Sequence, residues 1–114
     1  MSEKIIPIFR VKDGEKTAVW YQRLGFTIVG EHRFAPNMPL YLFLERNGEE
    51  LHLSEHTGDA KGPSLIYFWV EDLESIAKEF NVEIHQQPWA KEIKMTDPDG
   101  NRLRIALRNS GTEN

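Results

Sequence analysis

The sequence predicts an α+β fold of two β-α-β-β-β repeats, and three observations carry that prediction. The segment Ile8-Phe9-Arg10-Val11-Lys12-Asp13 matches Tyr67-Phe68-Trp69-Val70-Glu71-Asp72 at an offset of 59 positions. In both copies a β-rich run gives way to an aspartate and then to helical spacing, as an N-cap requires. Each copy also carries a strand-turn-strand cue, Asn47-Gly48 in the first and Asp97-Pro98-Asp99-Gly100-Asn101 in the second. A repeat that coincides with element boundaries reads as internal duplication.

Taken in order, Ile5 to Val11 is a short apolar run containing Pro7. Proline donates nothing to a ladder, so this strand belongs at an edge or against a special partner. Asp13 caps a helix whose inward positions are Thr17, Trp20, Tyr21 and Leu24, and Gly25 ends it. Phe26 to Gly30 reads as a strand, and His32 to Pro39 as irregular chain. Leu40 to Leu44 and Glu50 to Ser54 form the hairpin around Asn47-Gly48. The glycine- and proline-containing stretch 56–63 reads as a linker. Beyond it come a strand over Leu65 to Val70 and a helix capped by Asp72, with Leu73, Ile76, Ala77 and Phe80 inward. Short strands are expected at Val82 to His85, Glu92 to Thr96 and Arg102 to Leu107, with a loop at Gln86-Gln87-Pro88-Trp89 and a frayed tail from Asn109. At 114 residues this is the length of one domain, with repeat one at about 4–55 and repeat two at about 64–108.

Composition narrows the function classes. Hydrophobic residues are 39% and charged residues 28%, the balance of a globular protein. No cysteine is present, which removes disulfides and thiolate metal sites and fits a reducing cytoplasm. No apolar run is long enough for a membrane span, and no signal-peptide pattern follows Met1. The net charge of −4 comes without a basic stripe, which argues against nucleic acid as a partner and mildly favours cationic or neutral ones. No Gly-x-Ser-x-Gly elbow or glycine-rich phosphate loop occurs.

The paired repeats, the helix end Trp20-Tyr21-Gln22-Arg23-Leu24-Gly25-Phe26 and the Asp97-Pro98-Asp99-Gly100-Asn101 turn resemble the vicinal oxygen chelate superfamily of glyoxalases, dioxygenases and bleomycin-resistance proteins. The resemblance runs from Ile6 to Leu107. Ile6-Pro7-Ile8 and Pro88-Trp89-Ala90-Lys91-Glu92 look like the bleomycin-resistance branch, with its Pro-Trp-Gly-x-Arg-Glu stretch. Here Ala90 stands for the glycine, and one residue is missing before Glu92. The resemblance implies a cupped mixed sheet and a homodimer whose crevices use both subunits, with Pro7 on an exchanged N-terminal arm.

The same resemblance locates the metal-ligand positions of the metal-using members at Ile6, His52, Leu65 and Arg104. Ile6 and Leu65 have no donor atoms, and a guanidinium has no lone pair to offer. His52 alone keeps a ligand type, and one imidazole does not make a catalytic metal site. The expectation is therefore no metal, no cofactor and no catalytic residues.

Strand parity then sorts the side chains. With Ile6, His52, Leu65 and Arg104 on the cupped face, Ile8, Arg10, Ser54, Tyr67, Trp69, Arg102 and Ala106 join them. Leu51, Leu53, Phe68, Val70, Leu103, Ile105 and Leu107 face the helices. A concave surface of mixed character suits a ligand of mixed character. Bleomycin-like glycopeptides, with a planar bithiazole and a cationic tail, are such ligands. The resemblance assigns their contacts to Phe34, His52, Ser54, Tyr67, Trp89 and Arg104, with Trp89 and Phe34 stacking on the flat ring at about 1–3 kcal/mol each. The expected function is antibiotic resistance by sequestration. The alternatives are a metal-dependent glyoxalase-like lyase or thiol transferase, and a binding module for another aromatic molecule such as mitomycin.

Overall fold

A computed structural model describes residues 3–109. The elements follow the predicted order twice: β1 (Ile8–Arg10), α1 (Gly14–Arg23), β2 (Thr27–His32), β3 (Tyr41–Arg46) and β4 (Glu49–Ser54), then β5 (Leu65–Trp69), α2 (Leu73–Phe80), β6 (His85–Gln86), β7 (Ala90–Thr96) and β8 (Arg102–Arg108). The chain forms two compact units, Met1–Ser64 and Leu65–Asn114. Each holds one helix and a four-stranded mixed sheet.

In the first unit the strand order is β1-β4-β3-β2, with β1 parallel to β4 and the remaining neighbours antiparallel. Asp13 caps α1 as expected, its carboxylate accepting the Lys16 amide. The helix ends at Gly25, where φ is +99° and a Cβ would meet Nε of Arg46 at 2.8 Å. That nitrogen donates to the Leu24 carbonyl at 2.9 Å, so Arg46 helps close the helix end from a buried position. Asn47 and Gly48 both take positive φ, the twist a two-residue hairpin requires. Phe9, Leu42, Leu44, Leu51 and Leu53 are buried together with Ala18 and Tyr21 of α1. β1 is shorter than the predicted run, because Ile5 is almost fully exposed. The Pro7 carbonyl still accepts the His52 amide at 3.0 Å.

The second unit repeats the plan as β5-β8-β7-β6, with β5 parallel to β8. Val70, Ile93, Met95, Leu103 and Ile105 are buried, as are Leu73, Ile76 and Ala77 of α2. The Asp72 side chain makes no capping hydrogen bond, and Asn81 in the left-handed region ends the helix. The strand expected at Val82 to His85 is displaced. The Val82 amide bonds the Ala77 carbonyl to finish α2, and pairing with β7 begins only at His85. The Asp97–Asn101 turn is tightly knit. One Asp97 oxygen accepts the amides of Asp99 and Asn101, and the other accepts Asn101 Nδ2. Asn109, expected to fray, is held by Gln86 and by the Pro88 carbonyl. The rest of that tail lies outside the described residues. No helix among them is long and apolar enough to cross a membrane.

Candidate functional site

The second unit turns one face of its sheet toward polar chemistry. Tyr67 of β5 stands opposite Arg104 of β8, and Glu92 of β7 lies opposite Ala106, one pleat along on the same face. Glu92 is 0% exposed. A buried carboxylate is costly unless its lone pairs are taken up, and here every approach is filled. Arg104 Nη2 donates to both Glu92 oxygens at 2.8 and 2.9 Å, and its Nε reaches one of them at 3.3 Å. The Tyr67 hydroxyl donates to Oε2 at 2.5 Å and itself accepts from Nε1 of Trp89 at 2.8 Å.

Loop, two strands and a third strand are thus tied through one carboxylate. Trp89 is 48% exposed and Tyr67 39%, so their rings form a ledge fixed from behind. Trp69 extends it, 5.2 Å from the Tyr67 ring, and the Arg108 guanidinium lies 4.0 Å over Trp69.

The electrostatics of this group follow from the same contacts. Burial pushes the Glu92 carboxyl upward, but the hydrogen bonds from Tyr67 and Arg104 and the charge of Arg104 outweigh it. Its pKa is lowered. Burial first, then the bond to Glu92, raises the Tyr67 hydroxyl above 10.0. Glu92 is therefore a weaker base than an ordinary carboxylate, and Tyr67 a weaker acid than an ordinary phenol. A general acid or base working near neutrality needs the opposite displacement in each case.

The first unit carries the other expected contact residues. His52 of β4 faces Ile8 and Phe43, and its Nδ1 hydrogen-bonds the Tyr41 hydroxyl at 2.8 Å. His52 Nε2 is buried, 3.9 Å from a Glu50 oxygen and without a hydrogen-bond partner. Ser54 is fully buried, donating to Asp59 at 2.6 Å and accepting the His56 amide. Its hydroxyl is committed to shaping the loop after β4. Phe34 is 75% exposed beside His32, at the rim of a pocket of about 340 Å³.

Tyr67, Trp89 and Arg104 are thus brought together in one network, while Phe34, His52 and Ser54 lie in the first unit. Glu92, which organises the network, was not singled out from sequence. Its parity with Ala106 and Arg104 was the available signal, because an acid on an inward position next to an arginine strand needs that partner.

A metal of the kind that the superfamily's metal-using members hold does not fit these residues. Leu65 has no donor, Ile6 has none, and Arg104 presents a cation already engaged by Glu92. Among the described residues no three His, Asp or Glu side chains converge.

Comparison with known proteins gives the fold a family. A bleomycin-binding protein solved with bleomycin is 24% identical, with a TM-score of 0.65 over 95% of this chain and 100% of that one. A bleomycin resistance determinant encoded on the transposon Tn5 is 24% identical, with a TM-score of 0.68 over 95% and 99% of the two chains. A glyoxalase-related enzyme from Clostridium phytofermentans is 20% identical, with a TM-score of 0.72 over 96% and 97%. At these identities the likeness is one of fold. No curated protein matches the sequence. The family model described as glyoxalase superfamily protein matches residues 1–112, and the chain belongs to that superfamily.

Proposed function

We propose that the protein binds a bleomycin-like glycopeptide in the cytoplasm and sequesters it without chemical change, as a homodimer with one crevice per chain. The observation that carries this reading is the ledge of Tyr67 and Trp89, in which Trp89 Nε1 donates to the Tyr67 hydroxyl and that hydroxyl donates to a buried Glu92 paired with Arg104. Rings fixed in advance lose little conformational freedom on binding, which favours stacking with a planar guest. The opposed pKa displacements of Glu92 and Tyr67 support binding over proton transfer.

In this reading Trp89 stacks on the flat ring and Phe34 is its aromatic counterpart. Tyr67 and Arg104 set the ledge, His52 lends polarity, and Ser54 acts by positioning Asp59. Pro7, at the start of the edge strand, marks the dimer arm.

The test is titration with copper-loaded bleomycin, followed by tryptophan fluorescence. Saturable quenching at micromolar drug is expected, weakened about tenfold or more in Trp89→Ala. Absence of quenching, or unchanged affinity in that variant, overturns the proposal.

The alternative reading is a metal-dependent lyase or thiol transferase, against which stand Ile6, Leu65 and Arg104 at the positions that the resemblance marks for ligands; a glyoxalase-related enzyme shares the fold. Elemental analysis of protein purified without chelators separates the two. Stoichiometric tightly bound metal supports the enzyme. A thermal-shift panel of aromatic antibiotics, mitomycin included, tests for a different guest, because a true ligand above its dissociation constant raises the melting temperature.

A further inference from the structure

The first unit carries an aromatic groove whose chemistry differs from that of the Tyr67–Trp89 ledge. A pocket of about 340 Å³ is lined by His32, Phe34, Tyr41, Phe43, His56 and Asp59. Tyr41 and Phe43 share one face of β3, their ring centres 5.3 Å apart and inclined at 67°. His52 stands beside both on the neighbouring strand, bonded to the Tyr41 hydroxyl and 4.7 Å from the Phe43 ring. Across the ladder His32 stands opposite Tyr41, and Phe34 meets the His32 ring edge-on at 4.6 Å.

The walls are therefore aromatic and mutually tilted, and they offer both faces and edges to the space between. One carboxylate, that of exposed Asp59, borders this open groove. Asp59 is held by the Ser54 hydroxyl at 2.6 Å, and its charge acts on Tyr41: burial and then Asp59 raise that hydroxyl's pKa. No lysine or arginine lines the pocket.

Aromatic faces carry negative electrostatic potential and attract cations, most effectively ones that are weakly hydrated. A single carboxylate adds net charge without the several oxygen donors that a metal ion or a primary ammonium would require. We propose that this pocket is a site for an organic cation, specifically an alkylated ammonium group of the choline type. The ammonium group contacts the Tyr41 and Phe43 rings, Phe34 closes the rim, and Asp59 supplies the counter-charge. The site shares Phe34, His52 and the Ser54–Asp59 pair with the glycopeptide reading but does not rest on it, because choline is read at Tyr41, Phe43 and Asp59 and the glycopeptide at Trp89.

Choline is the probe, and dimethylbutanol, which carries carbon in place of the charged nitrogen, is its control. In an amide-resolved NMR titration of the intact protein, choline is expected to give saturable shifts around His32, Phe34, Tyr41, Phe43 and Asp59. It should bind about tenfold more tightly than the alcohol. Asp59→Asn should weaken choline about tenfold and leave the alcohol unchanged. Phe43→Leu should weaken choline while the rest of the amide spectrum still reports a folded chain. Equal binding of the two probes, no saturable shifts into the millimolar range, or shifts centred on Trp89 instead would overturn the proposal.

Discussion

With Tyr67 donating to one oxygen of Glu92 and Arg104 reaching both, an amide at this position keeps the shape of the group and removes the charge that holds the guanidinium. Breaking a buried ion pair from one side costs about 3–5 kcal/mol, because the partner is left uncompensated. Arg104 is 35% exposed and can turn partly to water, so Glu92→Gln should cost about 3 kcal/mol by urea unfolding, the low end of that range. The pH dependence has a definite sign. The folded carboxyl titrates below the ordinary 4.5, so the unfolded chain binds its proton first as pH falls. The stabilisation is complete above the unfolded pKa and is lost as pH drops through the folded one. The acid limb of a stability profile should therefore be steeper in the parent than in Glu92→Gln. At this scale Tyr67, Trp89 and Arg104 were legible because they occupy positions the family resemblance marks. Glu92 stands in the same marked stretch as Trp89, but its role was not legible, since its partners Arg104 and Tyr67 lie on the next strand and the one beyond it.

Each repeat depends on turns whose backbone excludes most side chains. At Gly25 the left-handed φ and the approach of Arg46 coincide. Gly25→Ala should then lose more than the roughly 1 kcal/mol of a strained backbone, because it also displaces the Arg46 bond to Leu24. A loss of about 2 kcal/mol in a melting or denaturant experiment is expected, and a neutral effect would show that Arg46 re-forms its contact elsewhere. Elements of this kind were readable in the sequence: the Asp13 cap, the Gly25 stop, the Asn47-Gly48 hairpin and the Asp97–Asn101 turn all act through local geometry. The strand expected at 82–85 is displaced for a local reason, the way α2 ends. Val82 and Ile84 alternate as strand residues do, yet the amide of Val82 is claimed by the end of α2 before any ladder can use it.

At the scale of the molecule, the proposed homodimer predicts a sedimentation mass twice that of one chain and one bleomycin bound per chain. The net charge of −4 and a cationic guest together predict weaker binding as salt rises. Calorimetry at two ionic strengths checks both the stoichiometry and the trend, and affinity indifferent to salt would remove electrostatics from the account. The duplication was the most legible feature at this scale, because the β-α-β-β-β order recurs and the helices begin 59 positions apart, at Gly14 and Leu73, as the matched segments do.

The parallel pairing of β1 with β4 has a consequence for how the chain acquires its structure. Ile8 finds its partner at His52, 44 positions later, and Leu65 finds Arg102 after 37. Neither opening strand has a neighbour to pair with until the closing strand of its own repeat exists, and closing such loops is slow compared with forming a hairpin. During synthesis β1 waits through a helix and two strands, whereas β3 and β4 zip together across Asn47-Gly48 as they emerge. Each repeat is thus completed by its last strand, and the first strand made is the last to be fixed.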